Sequence, residues 1–131
     1  MQYQLNPVLQ ADDIAALRVK VGWDSRNEQL KCILGKTYLT AACFDNSRLV
    51  GMIDVISDGV DDALIRNLMV DPEYHREGIA LKLLEMVKKQ LKADRIKTVN
   101  VLFEPDLKEL YKKAGFRVVC GGIIDNEKEG F

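Results

Sequence analysis

The stretch best equipped for chemistry is residues 71–80, Asp-Pro-Glu-Tyr-His-Arg-Glu-Gly-Ile-Ala. Gly78 and Ala80 fall at the expected first turn of a long helix, where a missing or small side chain lets a ligand approach the backbone. The first amides of a helix have no intrahelical acceptor and lie at the positive end of its dipole, so they suit a phosphate or pyrophosphate. Arg76 adds a charge beside them. The same pattern also describes an ordinary strand-to-helix loop whose glycine serves packing, and local chemistry leaves both readings open. A nucleoside-triphosphate loop has no support, because neither GxxxxGK followed by Ser or Thr nor GxGxxG occurs.

A strand must deliver this stretch and a helix must receive it. Residues 63–70 read as the strand, stopped by Asp71-Pro72 because proline cannot donate to a ladder. Over residues 78–92, Ile79, Leu83, Val87 and Leu91 recur every four positions, with Ala80, Leu84 and Met86 widening the stripe and Lys82, Lys88, Lys89 and Lys92 on a solvated face. Upstream, residues 2–5 suit a short strand. Asp12 can cap a helix carrying Ile14, Leu17 and Val21, and Ser25 with Glu28 reads as the capping box of a second helix carrying Leu30, Ile33 and Leu34. Residues 37–44 and 48–56 form a hairpin across Asp45-Asn46-Ser47, and the 63–70 strand follows the Asp58-Gly59 turn. Downstream come a strand over 98–103, a helix over 106–114 ended by Gly115, and a strand over 116–120. A strand, a long helix and a strand in succession make the flanking strands parallel. The pattern predicts one α/β domain over residues 1–131, with a mixed sheet.

Composition narrows the function classes. The chain has 131 residues, 19 Lys plus Arg against 20 Asp plus Glu, and a net charge of −1, so no basic field collects nucleic-acid phosphates. No run approaches the ~18 apolar residues of a spanning helix, and residues 1–10 lack the pattern of a signal peptide. Three cysteines, Cys32, Cys43 and Cys120, have no paired spacing and read as small buried hydrophobes in a reducing cytoplasm. One histidine and no CxxC argue against zinc.

Two blocks carry a family resemblance. Val70-Asp71-Pro72-Glu73-Tyr74-His75-Arg76-Glu77-Gly78-Ile79-Ala80 resembles the coenzyme A motif of the GNAT superfamily of N-acetyltransferases, and Leu110-Tyr111-Lys112-Lys113-Ala114-Gly115-Phe116 is similar to that family's F-Y-x-x-x-G-F block. The two stand in the family's order, one helix and one strand apart. Val21-Gly22-Trp23 adds a weaker likeness at the end of the first helix. The chain departs from the usual pattern at His75, where Gln or Arg is common, at Glu77, where Lys or Arg is common, and at Glu104, where Asn is frequent.

The resemblance implies a mixed, mostly antiparallel sheet of six or seven strands with about four helices on its faces. It also implies a cytoplasmic acyltransferase moving an acetyl group from acetyl-CoA to an amine of a small molecule or peptide, by direct attack on the thioester. In that scheme backbone groups of Leu68, Met69 and Val70 hold the pantetheine arm, and His75, Arg76, Glu77, Gly78, Ile79 and Ala80 surround the pyrophosphate. Tyr111 is the acid that protonates the departing thiol; otherwise its ring merely packs the short helix. The base stays open between Asp54, Glu104 and a water relay. An imidazole is a common general base, but the motif position of His75 favours ligand binding or packing. Trp23 and Tyr38 lean toward lining the acceptor pocket. A coenzyme A-binding sensor or interaction domain without efficient turnover is the alternative, and a purely structural domain a third. Only Ile123-Ile124 seeds a seventh strand in residues 121–131, and so thin an edge tilts the expectation toward a homodimer.

Overall fold

In the computed structural model residues 1–127 are described, and they fall into two compact units, Met1–Val101 and a second from Leu102 onward. The first holds a five-stranded sheet in the order β1-β2-β3-β4-β5, from β1 (Gln2–Leu5), β2 (Leu39–Asp45), β3 (Arg48–Ser57), β4 (Asp62–Val70) and β5 (Thr98–Val101). Neighbours pair antiparallel as far as β4, and β4 pairs parallel with β5, as the intervening helix requires. Helices α1 (Ala11–Lys20), α2 (Asn27–Ile33) and α3 (Ile79–Ala93) complete this unit.

The central strand, β3, is buried continuously from Leu49 to Val55 because helices cover both faces of the sheet. Ile79, Leu83, Leu84, Val87 and Leu91 of α3 are all buried, each contributing about 1.5–3 kcal/mol by leaving water. Gly51 permits the close approach: a Cβ there would lie 2.9 Å from Ile79 Cγ2. Alternation along β3 then turns Met52 to the other face, where it packs with Ile14, Leu17, Leu30 and Met69. No helix among the described residues is long and apolar enough to cross a membrane.

Several local expectations are corrected. Gln10, not Asp12, caps α1, and Asp12 and Asp13 instead complement the dipole in its first turn. The capping box does not form: α2 is capped by Arg26 in a left-handed conformation, and Asn27 Nδ2 donates to Asp12 Oδ1 at 2.8 Å, tying the start of α2 to α1. β5 stops at Val101. In the second unit, the predicted 106–114 helix is a 3-10 turn (Pro105–Leu107) followed by α4 (Lys108–Lys113). Residues 116–120 form no strand, so five strands replace the predicted six or seven among the described residues. Val118 and Val119 stay exposed, and a β conformation without a ladder leaves its amides to solvent. Residues 121–127 form no seventh strand either, and residues 128–131 lie outside the described residues. Only Cys43 is a buried cysteine; Cys32 and Cys120 are exposed.

Candidate functional site

The chain leaves β4 through a loop that charge clamps to the sheet. Asp71 is 1% exposed and its amide donates to the Val50 carbonyl at 2.8 Å. Its carboxylate accepts from the Glu73 amide at 3.0 Å, Lys20 Nζ at 3.0 Å and Arg48 Nη2 at 3.1 Å. Burial by itself would raise the Asp71 pKa, but these donors outweigh it and hold the carboxyl below 3.8. Arg48 also reaches Glu73 at 3.1 Å and lies over the Tyr74 ring, whose hydroxyl donates to Asp45. The His75 ring, exposed, sits 3.1 Å from the Val70 carbonyl and ties the loop back to the strand end.

Beyond that clamp the backbone turns its donors outward. Arg76 (φ 68°) and Gly78 (φ 77°) are left-handed, flanking Glu77, and α3 begins with Gly78 as its cap. Lys82 donates to the Gly78 carbonyl, whereas the amides of residues 76–80 have no acceptor among the described residues. A run of unpaired donors at a helix start makes an anion-binding concavity. A Cβ on Gly78 would meet nothing within 4 Å, so the space before it is open. Arg76 and Glu77 are exposed, Ile79 is buried and anchors the helix, and Ala80 is half-buried. Tyr3 on β1 has its phenol pushed up to about 12, by burial above all, with the charge of exposed Glu77 a minor contribution.

β4 is irregular just before this loop. Arg66 pairs with Asp54 and Met69 with Met52, so Asn67 and Leu68 both oppose Ile53, and Asn67 takes φ 55°. Such a bulge splays the strand and frees its backbone. Leu68 and Val70 are half-buried there, and Met69 is buried.

The bulge borders a cavity of about 360 Å³ lined by the β1–α1 connection, α1, α2 and the segment after it, β2, β3 and β4. Val8, Leu9, Ile14, Leu30, Ile33, Leu34, Met52 and Met69 make most of its wall, with Arg18, Thr40, Asp54 and Asn67 as polar points. Asp54 is 6% exposed. Its carboxylate accepts from Arg66 Nε at 2.8 Å, Arg66 Nη2 at 3.4 Å and Asn67 Nδ2 at 3.2 Å. Arg18 donates Nε–H to the Asp24 carbonyl at 2.7 Å and lies 5.2 Å from the Trp23 ring centroid. Its pKa is lowered, by burial first and then by Arg26, against the opposing pull of Asp24 and Asp54. Trp23 and Tyr38 do not line the cavity, contrary to expectation. Trp23 supports Arg18 from outside, and Tyr38 donates to Asp94 Oδ2 at 2.6 Å.

In the second unit Tyr111 is 3% exposed, stacked on Phe103 at 4.6 Å and edge-on to Phe116 at 5.8 Å. Burial raises its phenol pKa above 10.0, and its hydroxyl has no hydrogen-bond partner among the described residues. The phenol therefore keeps its proton at neutral pH. Glu104 is exposed at the cap of the 3-10 turn.

The structure therefore brings residues 68–70 and 76–80 together at one end of β4, and places Asp54 on the cavity floor. Arg18 and Arg66 as partners of that floor were missed. The available signal was one charged residue in the interior of each of two adjacent apolar strands, Asp54 and Arg66, at positions that antiparallel pairing can align.

Comparison with known proteins agrees with this geometry. The family described as "Acetyltransferase (GNAT) domain" matches residues 10–127. An uncharacterized N-acetyltransferase, ycf52, of Gracilaria tenuistipitata var. liui is 27% identical over 123 residues, covering 90% of this chain and 68% of that protein. The chain spans 41% to 58% of the length of five other curated relatives. Among solved structures, a protein of unknown function from meticillin-resistant Staphylococcus aureus, titled a probable acetyltransferase, superposes with TM-score 0.86 at 23% identity, over 95% of this chain and 99% of that one. An aminoglycoside 6'-N-acetyltransferase complexed with coenzyme A superposes with TM-score 0.74 at 20% identity, over 96% of this chain and 89% of that one.

Proposed function

We propose, from the premise that the chain belongs to the GNAT acetyltransferase family, that it is an acetyl-CoA-dependent N-acetyltransferase acting on an amine of a small molecule or peptide. The observation that carries this reading is the run of acceptorless amides at residues 76–80, beside left-handed Arg76 and Gly78. They fit a pyrophosphate without any lysine-rich field, because local donors at a helix start supply the attraction. The splayed end of β4 at Leu68, Met69 and Val70 suits an extended amide-bearing arm laid along it as an added strand. When bound, acetyl-CoA supplies the acetyl thioester.

The cavity then receives the amine. Asp54 is held in place by Arg66 and Asn67 and accepts the proton that the attacking nitrogen must lose. An alkyl ammonium near pKa 10.4 is almost wholly protonated at pH 7, so a fixed acceptor for that proton is needed. Tyr111 Oη holds the proton that the departing sulfur takes up, and its raised pKa keeps that proton in place through neutral pH. We place the chain in the reducing cytoplasm, in keeping with free thiols at Cys32, Cys43 and Cys120.

Two measurements test the proposal. Acetyl-CoA at a hundred times its Kd should stabilise the protein by about 2.7 kcal/mol. Tyr111→Phe should lower kcat by about a hundredfold in an amine-dependent assay of thiol release. No thermal shift at millimolar acetyl-CoA, together with no thiol release on a broad amine panel, would end the proposal. An unchanged kcat in a folded Tyr111→Phe variant would remove the tyrosine from it.

A further inference from the structure

The polar points of the cavity are electrically unequal. Asp54 already has Arg66 and Asn67 as donors, so its charge is balanced, and what remains to it is spare lone-pair capacity for one more N–H. That suits a neutral amine, the form that can attack. Arg18 is different. It is half-buried, its Nε–H is spent on the Asp24 carbonyl, and Trp23 backs the guanidinium. Its terminal nitrogens have no hydrogen-bond partner among the described residues, and the influence of Asp24 and Asp54 on it is opposed by Arg26. A guanidinium held this way presents a preset fork, the geometry that takes a carboxylate through two parallel hydrogen bonds. Ile14, Leu30, Ile33 and Leu34, from α1 and from α2 and the residue after it, give the cavity an aliphatic side.

We propose that the acceptor is a free amino acid with an apolar side chain, its amine at Asp54 and Asn67, its carboxylate on Arg18 and its side chain against Ile14, Leu30 and Ile33. This rests on the acetyltransferase reading and narrows it to a substrate class. Balanced as a transfer, the acceptor nitrogen gains the acetyl carbon and gives up one proton. The C–S bond of acetyl-CoA breaks, and the sulfur keeps that electron pair and gains one proton. Burial is the first cause lowering the Arg18 pKa, with Asp24 and Asp54 pulling the other way, and a carboxylate bound at its terminal nitrogens would add to that pull.

The test uses the full chain with L-leucine, L-leucinamide, 3-methylbutylamine and L-serine. Thiol release with acetyl-CoA gives kcat/KM for each. In parallel, thermal shift with the same four compounds and no acetyl-CoA reads the cavity alone. The expected result is at least a tenfold preference for L-leucine over each of the others, and leucine protection without acetyl-CoA that leucinamide does not reproduce. Arg18→Gln should collapse the leucine-to-leucinamide ratio to about one through a raised KM for leucine, and Arg18→Lys should recover part of it. Equal use of leucine and leucinamide, equal protection by the two, or a preference that survives Arg18→Gln overturns the proposal. Should Arg18→Gln not fold, the wild-type ratios decide. If acetyl-CoA neither binds nor turns over, the acetyltransferase reading fails, while selective protection by leucine still decides the cavity's ligand.

Discussion

The cradle at the start of α3 draws its donors from five consecutive residues, 76–80, whereas the cavity draws its lining from segments spread along the chain between Asn6 and Met69. The cradle works through backbone, so its chemistry is nearly indifferent to side-chain type: exposed Glu77 still contributes an amide with no acceptor among the described residues. The cavity works through side chains, and a single charge there changes what it accepts. Conserving a shape costs little sequence when amides do the binding, while specificity needs particular residues brought from far apart.

Breaking the clamp under the cradle should have the largest effect on stability. Asp71→Asn removes a buried carboxylate from two cations and should cost about 3 kcal/mol, read as a fall in Tm of about 10 °C and a weaker response to acetyl-CoA. Because the Asp71 pKa is depressed, its contribution is present above 3.8 and is lost as pH falls through the lower folded-state value. Wild type and Asp71→Asn should therefore converge in stability under strong acid; a gap that persists there would mean packing, not charge, holds the loop.

On the cavity side, Asp54→Asn should lower kcat/KM for the amine by about tenfold to a hundredfold while the thermal shift with acetyl-CoA stays intact. A parallel loss of acetyl-CoA binding would erase the separation between the two regions. Gly78→Ala acts in the opposite sense. A Cβ at φ 77° is strained by about 1–2 kcal/mol and protrudes into the open space before the amides. Acetyl-CoA affinity should fall about tenfold with the KM of the amine unchanged.

The smallest effect expected is in the pH profile. Since burial holds the Tyr111 phenol above pKa 10.0, kcat should show no alkaline decline from this group below about pH 10. A decline centred near pH 8 would assign the acid elsewhere.

How legible each region was follows from its range along the chain. The cradle could be read because strand, proline stop, glycine and helical stripe lie within one 30-residue stretch. Asp71 could be read as a stop but not as a clamp, since Lys20 and Arg48 lie 51 and 23 residues away. Local signals also misled. Ser25 and Glu28 have the spacing of a capping box, yet α2 starts after a left-handed Arg26, and residues 116–120 have β-branched character but no ladder to join. Asp54 was visible as one charge in an apolar strand; its partners and the cavity it floors were not.

By itself the sequence determined what depends on short-range order: the helical stripe of α3, the turn chemistry at residues 71–78, and the two blocks by which the family is known. Only the tertiary structure decided what depends on distant segments meeting. A one-residue excess at Asn67 and Leu68 opened the sheet beside Asp54, and the packing of α1 and α2 over that opening brought Arg18 to the same cavity. The physical reason is that a backbone amide at a helix start is present whatever the fold, whereas a charge acts on a partner only across the few ångströms that folding creates.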